Sequence, residues 1–203
     1  MIKLYQFALS GNCHKVRMLL SFLNLPHEVI NVSGAKGEHK SPGFLAMNPF
    51  GQVPVLVDGD VVLRDSQAIL FYLAQKYGQA SGQPNWMPAD PALGAEVTGW
   101  LSVASSEVSR GPGMLRMHHK FGRAIDVAAT EKVSADVLNV LNTHLANRDW
   151  LVGSQISIAD LAVYAYVALA PEGKVDLQAH AHVVQWLRRI QALPAYVGMD
   201  GMF

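Results

Sequence analysis

Hydrophobic periodicity divides this chain into two unlike halves. Before Gly78, short runs of two-residue alternation take turns with helical spacing; after it, only helical spacing remains. Residues 2–7 (IKLYQF) alternate as a half-buried strand. A short loop from Ala8 to Asn12 leads into a helix with Val16, Leu19, Leu20 and Leu23 on one side, which Leu25-Pro26 ends. His27 to Val32 (HEVINV) reads as a second strand. Two strands joined by a helix of this length predict a right-handed βαβ unit. Beyond a polar segment at 33–40, Ser41-Pro42 has the form of an N-cap followed by a first-turn proline. Pro54 to Val57 (PVLV) and Val61 to Leu63 are apolar runs joined by Asp58-Gly59-Asp60, a hairpin signal. Residues 65–77 then form a helix that stops before Gly78.

The stretch from Gly78 to Pro91 is rich in Gly, Ser, Gln, Pro and Asn and marks a boundary. The expected organisation is an α/β domain at 1–78, a linker at 79–90 and an all-helical domain at 91–203. Helical spacing runs through 91–120, 126–147, 157–170 and 180–193, with breaks at Gly111-Pro112-Gly113, Gly122, Gly153 and Pro171. No strand and no internal repeat stand out in this half.

Composition narrows the function classes. Half of the 203 residues are hydrophobic and 16% are charged, enough to build a core. Basic and acidic residues balance at 16 each, so no basic stripe points to nucleic acid or to an anionic membrane surface. The single cysteine, Cys13, cannot close an internal disulfide, which fits a reducing compartment. The N-terminus reads as a strand and lacks a signal-peptide core. Ile156 to Ala170 is the most apolar stretch, yet it holds Asp160 and is too short to span a bilayer. A soluble, cytoplasmic protein is expected. The eight histidines show no H-E-x-x-H spacing, so no metal site is expected.

Four places could carry chemistry. Ser10-Gly11-Asn12-Cys13 lies where the first strand gives way to the first helix. A helix start offers unpaired N–H groups and a partial positive charge, and a serine hydroxyl there can donate to a thiolate. Free cysteine thiols titrate near ~8.5, and each unit of depression is worth roughly 1.4 kcal/mol. A hydroxyl and a helix terminus together can supply about two such units. The same serine can simply cap the helix. In Gly51-Gln52-Val53-Pro54, a cis Val53-Pro54 bond would turn the Val53 backbone outward, free to pair with a peptide-like ligand; an ordinary tight turn fits the spacing too. Asp65-Ser66, after Arg64, opens a helix and can receive a carboxylate or an amine, or act only as a cap. His39-Lys40 can meet a carboxylate or stand solvated.

Taken in order, these segments resemble the cytosolic glutathione transferases, in particular the serine-type branch with the phi, theta and zeta classes. The resemblance is carried by Ser10 in SGNCHKVR, by GEHKSPGFLAMNPFGQVPVL from Gly37 to Leu56, by RDSQAILFYL from Arg64 to Leu73, and by DWLVGSQISIADLAVY from Asp149 to Tyr164. It implies a thioredoxin-like N-terminal domain and an all-helical C-terminal one, glutathione as co-substrate with no cofactor, and a homodimer. It implies that Ser10 meets the glutathione sulfur and that His39 and Lys40 meet the glycyl carboxylate, with Gln52 near the tripeptide backbone. Val53 would pair its main chain with the cysteinyl unit ahead of a cis Pro54. Asp65 and Ser66 would hold the γ-glutamyl end. The chain departs from the family pattern in three ways. Asp65 stands where many members have Glu. SGNC replaces the Ser-Ser-Cys-Ser of the zeta class, which weakens a maleylacetoacetate-type isomerase. The Ser10 position carries no nucleophilic cysteine of the glutaredoxin-like kind. Asn12 is an alternative thiolate donor, and Cys13 reads as a packed or partly exposed thiol, not a nucleophile.

Outside these motifs, Ser157-Ile158-Ala159-Asp160 reads as a capping box ahead of a helix apolar nearly all round, so Asp160 is expected to be structural. The 65–77 helix carries more apolar surface than one covered face needs, which suggests contact with both the helical domain and a partner subunit, the alternative being a buried interdomain surface in a monomer. Met114, Met117 and His118 are candidates for an adaptable electrophile pocket, or for ordinary core. The expected reaction is attack of a serine-stabilised glutathione thiolate on a hydrophobic electrophile, a detoxification chemistry. The alternatives are another glutathione-dependent enzyme, a peroxidase or isomerase, or a non-catalytic binding module.

Overall fold

The computed structural model describes residues 1–79 and 84–203. Its first half is a four-stranded mixed sheet in the order β2-β1-β3-β4, built from β1 (Ile2–Gln6), β2 (His27–Asn31), β3 (Val55–Asp58) and β4 (Val61–Arg64). β1 pairs parallel with β2 and antiparallel with β3, so β1 lies inside the sheet. Its alternation turns Ile2, Leu4 and Gln6 inward, as period-two patterning requires. The crossover from β1 to β2 is α1 (Gly11–Phe22), which buries Val16, Leu19 and Leu20. The short α2 (Pro42–Met47) begins at the Ser41 cap with proline in its first turn, as the sequence predicts. β3 and β4 form the expected hairpin, with Gly59 at φ 62°. Asp58 at the end of β3 ties the hairpin to α3 (Ser66–Tyr77). Its Oδ2 accepts from Lys76 Nζ at 2.7 Å, Tyr77 Oη at 2.6 Å and Tyr72 Oη at 2.8 Å.

The second half is helical throughout among the described residues: α4 (Pro91–Ser105), α5 (Met114–Phe121), α6 (Val127–His144), α7 (Ile158–Ala168) and α8 (Ala181–Gln191). The expected linker at 79–90 falls partly on residues outside the described ones. The helical stretch at 91–120 is interrupted earlier than its sequence suggests. The chain leaves the α-helix at Ser106, and the Gly111-Pro112-Gly113 run sits inside a π-helical turn at Ser109–Gly113 that continues directly into α5. A wide turn accommodates Pro112, which has no N–H to give. Gly111 lets that turn approach α6, since a Cβ there would stand 2.9 Å from the Ser134 backbone.

α7 is the hub. Apart from Tyr166, every residue of this helix is buried, and it packs against α1, α3 and α4 at once. Its start is the capping box read from the sequence, with the Asp160 carboxylate also accepting from Leu151 N–H and Trp186 Nε1–H, both at 2.9 Å. No helix among the described residues is long and apolar enough to cross a membrane.

Candidate active site

The site is built around the first turn of α1, between two cavities. Ser10 is the N-cap, and its Oγ accepts from Cys13 N–H at 3.3 Å. That bond uses an oxygen lone pair, so the hydroxyl proton remains free to donate. The capping and thiolate-binding roles are therefore compatible on one side chain.

On one side of this turn lies a polar cavity of about 200 Å³, lined by Asn12, Asn48, Phe50, Gln52, Val53, Pro54, Arg64, Asp65 and Ser66. Six of these (Asn12, Gln52, Val53, Pro54, Asp65 and Ser66) were candidates from the sequence. The Val53-Pro54 bond is cis. Asp65 caps α3 through one carboxylate oxygen, Oδ1, which accepts from Gln67 N–H at 2.9 Å and Ala68 N–H at 3.1 Å. It does so at φ 73°, a conformation that costs a non-glycine residue energy and clusters at functional sites. Ser66 is buried beside it, with its hydroxyl bonded to Gln67 Oε1. Asn48, Phe50 and Arg64 carried no role in the sequence reading, although all three lie within or beside the motif runs. Asn48 is buried and shapes the loop by donating to Gln52 O at 2.7 Å and accepting from Phe50 N–H at 3.1 Å. Lys40 Nζ donates to Phe50 O at 3.0 Å, which brings it to the edge of this cavity. His39 stands edge-on to Phe7, and its Nδ1 is buried without a partner among the described residues.

On the other side lies a mostly apolar cavity of about 280 Å³, lined by Phe7, Leu9, Ser10, Arg116, Met117, Phe121 and Tyr166. Met117 alone of the three electrophile-pocket candidates lines it. Met114 lies one turn earlier on α5, and His118 turns instead to Arg123 O at 2.8 Å. Arg116, Phe121 and Tyr166 were not singled out from the sequence. Tyr166 reaches over from α7, and a Cβ on Gly11 would meet its ring at 2.8 Å. Glycine after the serine is thus what lets the two domains close here.

Three basic side chains lie beneath the turn, and two of them, His14 and Lys15, are fully buried. Burial pushes the Lys15 ammonium down to about 7, against the pull of the Asp65 charge, and its Nζ lies 5.2 Å from the Tyr166 ring centre. Burial, helped by Arg17, pushes His14 down to about 3, so its imidazole is neutral at pH 7. Arg17 ties the loop to the sheet through Gln6 Oε1 at 2.9 Å and Ala8 O at 3.1 Å. Cys13 is fully buried and burial raises its thiol pKa, which suits packing and not nucleophilic attack. No cluster of three or more metal-ligating side chains occurs among the described residues.

Family models and related proteins match most of the chain. A family model for the glutathione S-transferase N-terminal domain matches residues 4–81, and one for the C-terminal domain matches 110–194. Glutathione S-transferase 3 of Zea mays is 37% identical, over 96% of this chain and 91% of its own length. The disulfide-bond oxidoreductase YfcG of Escherichia coli (strain K12) is 32% identical, over 96% of this chain and 92% of its own. The crystal structure of a glutathione S-transferase from Xanthobacter autotrophicus Py2 superposes with a TM-score of 0.89 at 31% identity, covering 99% of this chain and 98% of that one.

Proposed function

The chain belongs to the glutathione S-transferase family, and from that membership we propose that it conjugates glutathione to hydrophobic electrophiles through a thiolate held by Ser10. The observation that carries the reading is the Ser10 hydroxyl, free to donate, at the start of α1 between a polar and an apolar cavity. The peptide would lie in the polar cavity, with Asp65 and Ser66 toward its γ-glutamyl end. Val53 would pair with its middle, and Gln52, Lys40 and His39 would face its glycyl end. The buried, unpartnered Nδ1 of His39 is consistent with a missing acceptor there. Asn12, which lines the polar cavity, is the alternative donor. Catalysis would rest on lowering the thiol pKa and on orienting the two substrates. The apolar cavity would take the electrophile, a detoxification role in the cytoplasm.

The test is a pH titration of the ultraviolet thiolate absorbance of bound glutathione. A thiol pKa at least one unit below that of free glutathione is expected. Binding with no shift would remove the serine-thiolate reading and favour a glutathione-binding module. The similarity to YfcG keeps thiol–disulfide exchange as a second reading. It predicts turnover of a mixed glutathione disulfide exceeding that of any carbon electrophile.

We further propose that the unit is a homodimer. α3 buries Ile69, Leu70 and Leu73 but leaves Phe71 46% exposed. Phe71, Ala68, Tyr72 and Leu63, with Thr98 and Leu101 of α4, line an open apolar groove of about 810 Å³. Such a patch on a freely soluble chain suits self-association. Phe71→Glu is expected to convert the dimer to monomer in analytical ultracentrifugation; a wild-type monomer would reject the proposal.

A further inference from the structure

The apolar cavity contains one charged side chain, and that side chain is incompletely paired. Arg116 on α5 is only 2% exposed. Its Nε donates to Glu172 Oε2 at 2.5 Å and its Nη1 to Leu9 O at 2.9 Å. Its Nη2 is buried with no hydrogen-bond partner among the described residues. Glu172 does not balance it alone, because Lys120 occupies the other carboxylate oxygen. Two cations thus share one anion. The arrangement is held tightly: a Cβ on Gly173 would stand 2.8 Å from Arg116 N, and Gly201 of the C-terminal segment closes against the Glu172 side chain. The guanidinium also lies over the Phe121 ring, 5.2 Å from its centre.

Buried charged donors in native proteins almost always find an acceptor. Here the protein supplies acceptors for two of the three nitrogens and leaves the third buried without one, on a side chain that lines the apolar cavity. The position of that cavity says what the acceptor belongs to. Leu9, whose carbonyl holds Nη1, directly precedes Ser10, so the guanidinium lies next to the thiolate end of the site. The remaining walls, Phe7, Met117, Phe121 and Tyr166, are three aromatic rings and a thioether. Aromatic faces suit a flat apolar body, and a guanidinium suits a carboxylate.

We propose that the electrophile accepted at this site is a small aromatic or unsaturated carboxylate, its carboxylate received by Nη2 of Arg116 and its reactive carbon turned toward Ser10. This names the substrate class for the conjugation reading above and rests on it. Glu172 is a positioning residue: it holds the guanidinium without touching the ligand, and Lys120 makes no contact with the guanidinium.

The experiment measures binding, so that it reads on Arg116 whether or not conjugation occurs. Calorimetry in saturating glutathione compares 3,5-dinitrobenzoate with 3,5-dinitrobenzamide, which have the same ring and differ in charge. Wild type is expected to bind the carboxylate at least about tenfold more tightly, the size of one charge-assisted hydrogen bond. Arg116→Met should abolish the preference and Lys120→Met should retain it. Equal affinities in wild type, binding of neither compound, or a preference that survives Arg116→Met would each overturn the proposal. If Arg116→Met does not fold, the wild-type ratio and Lys120→Met decide, and a preference lost on removing Lys120 also overturns it. The thiolate absorbance of bound glutathione, recorded on the same samples, reports separately on the transferase reading. An Arg116→Met protein that raises the bound thiol pKa with the carboxylate preference unchanged would move the guanidinium's role to the thiolate.

Discussion

Ser10→Ala is expected to lower turnover about a hundredfold, the usual cost of removing one donor from a developing or resident anion, while glutathione affinity stays within severalfold of wild type. The separation follows from where the tripeptide's other groups would be held. Asp65, Ser66, Val53 and Gln52 lie on the polar cavity and do not depend on Ser10. Of the tripeptide's groups, the hydroxyl would act only on the sulfur in the proposed reaction. The bound thiol should therefore return toward its free pKa in the variant, and raising the pH should recover part of the lost rate. Removing Oγ also removes the acceptor for Cys13 N–H, which costs about 1 kcal/mol of stability. Rates should therefore be compared well below the melting temperature. Full activity in Ser10→Ala would transfer the role to Asn12 or to the helix terminus alone, and Asn12→Ala then separates those two.

Asp160→Ala should be the most damaging single change to the fold. The carboxylate is fully buried and accepts from Leu151 N–H, Ser157 N–H, Ser157 Oγ–H and Trp186 Nε1–H. Alanine strands these donors in the core at the start of α7, the helix that packs against α1 and α3 of the first domain, at a cost of about 3–5 kcal/mol. Loss of soluble expression, or a midpoint lowered in urea, is the expected result; a melting curve like that of wild type would show that α7 does not need the cap. The pH dependence has a definite sign. Burial pushes Asp160 up to about 6, against the four donors that pull it down. A raised folded-state pKa means that this group's contribution is fully present below the unfolded value near ~3.9 and is lost as pH rises through about 6. The stability difference between wild type and Asp160→Ala should accordingly narrow between pH 4 and 7.

The polar half of the site was legible because its residues announce themselves locally. A helix cap at Ser10, a proline opening a strand at Pro54 and an Asp-Ser helix start at Asp65 are each readable within a few positions. Tertiary closure then adds neighbours such as Asn48, whose work is to bond its own loop and which no charge or motif rule singles out. The apolar half was much less legible. Helical periodicity tells which face is covered but not what covers it. Met117 and Met114 are one turn apart with the same chemistry, and only the packing of α5 against the β1–α1 loop separates them. Arg116 looked like any cation on a helix until Glu172, 56 residues later, turned out to lie within bonding distance. Tyr166 was concealed in the most apolar helix of the chain. The exposed apolar face of α3 was partly readable, since this helix has more apolar surface than the core uses. The break at Ser106 had no proline or glycine to mark it.

The contact between Gly11 and Tyr166 lies on the seam between the domains, beside the proposed thiol end of the site. The first turn of α1 belongs to one domain and the ring pressed on it belongs to the other, so neither half carries a finished site by itself. In the proposed reaction, any rocking of the helical half about this seam would change the distance between nucleophile and electrophile. Substitutions along α1 and α7 that touch neither cavity will therefore alter catalytic rates through the alignment of the two halves, and this is the region where laboratory evolution of new substrates should find its distant beneficial changes.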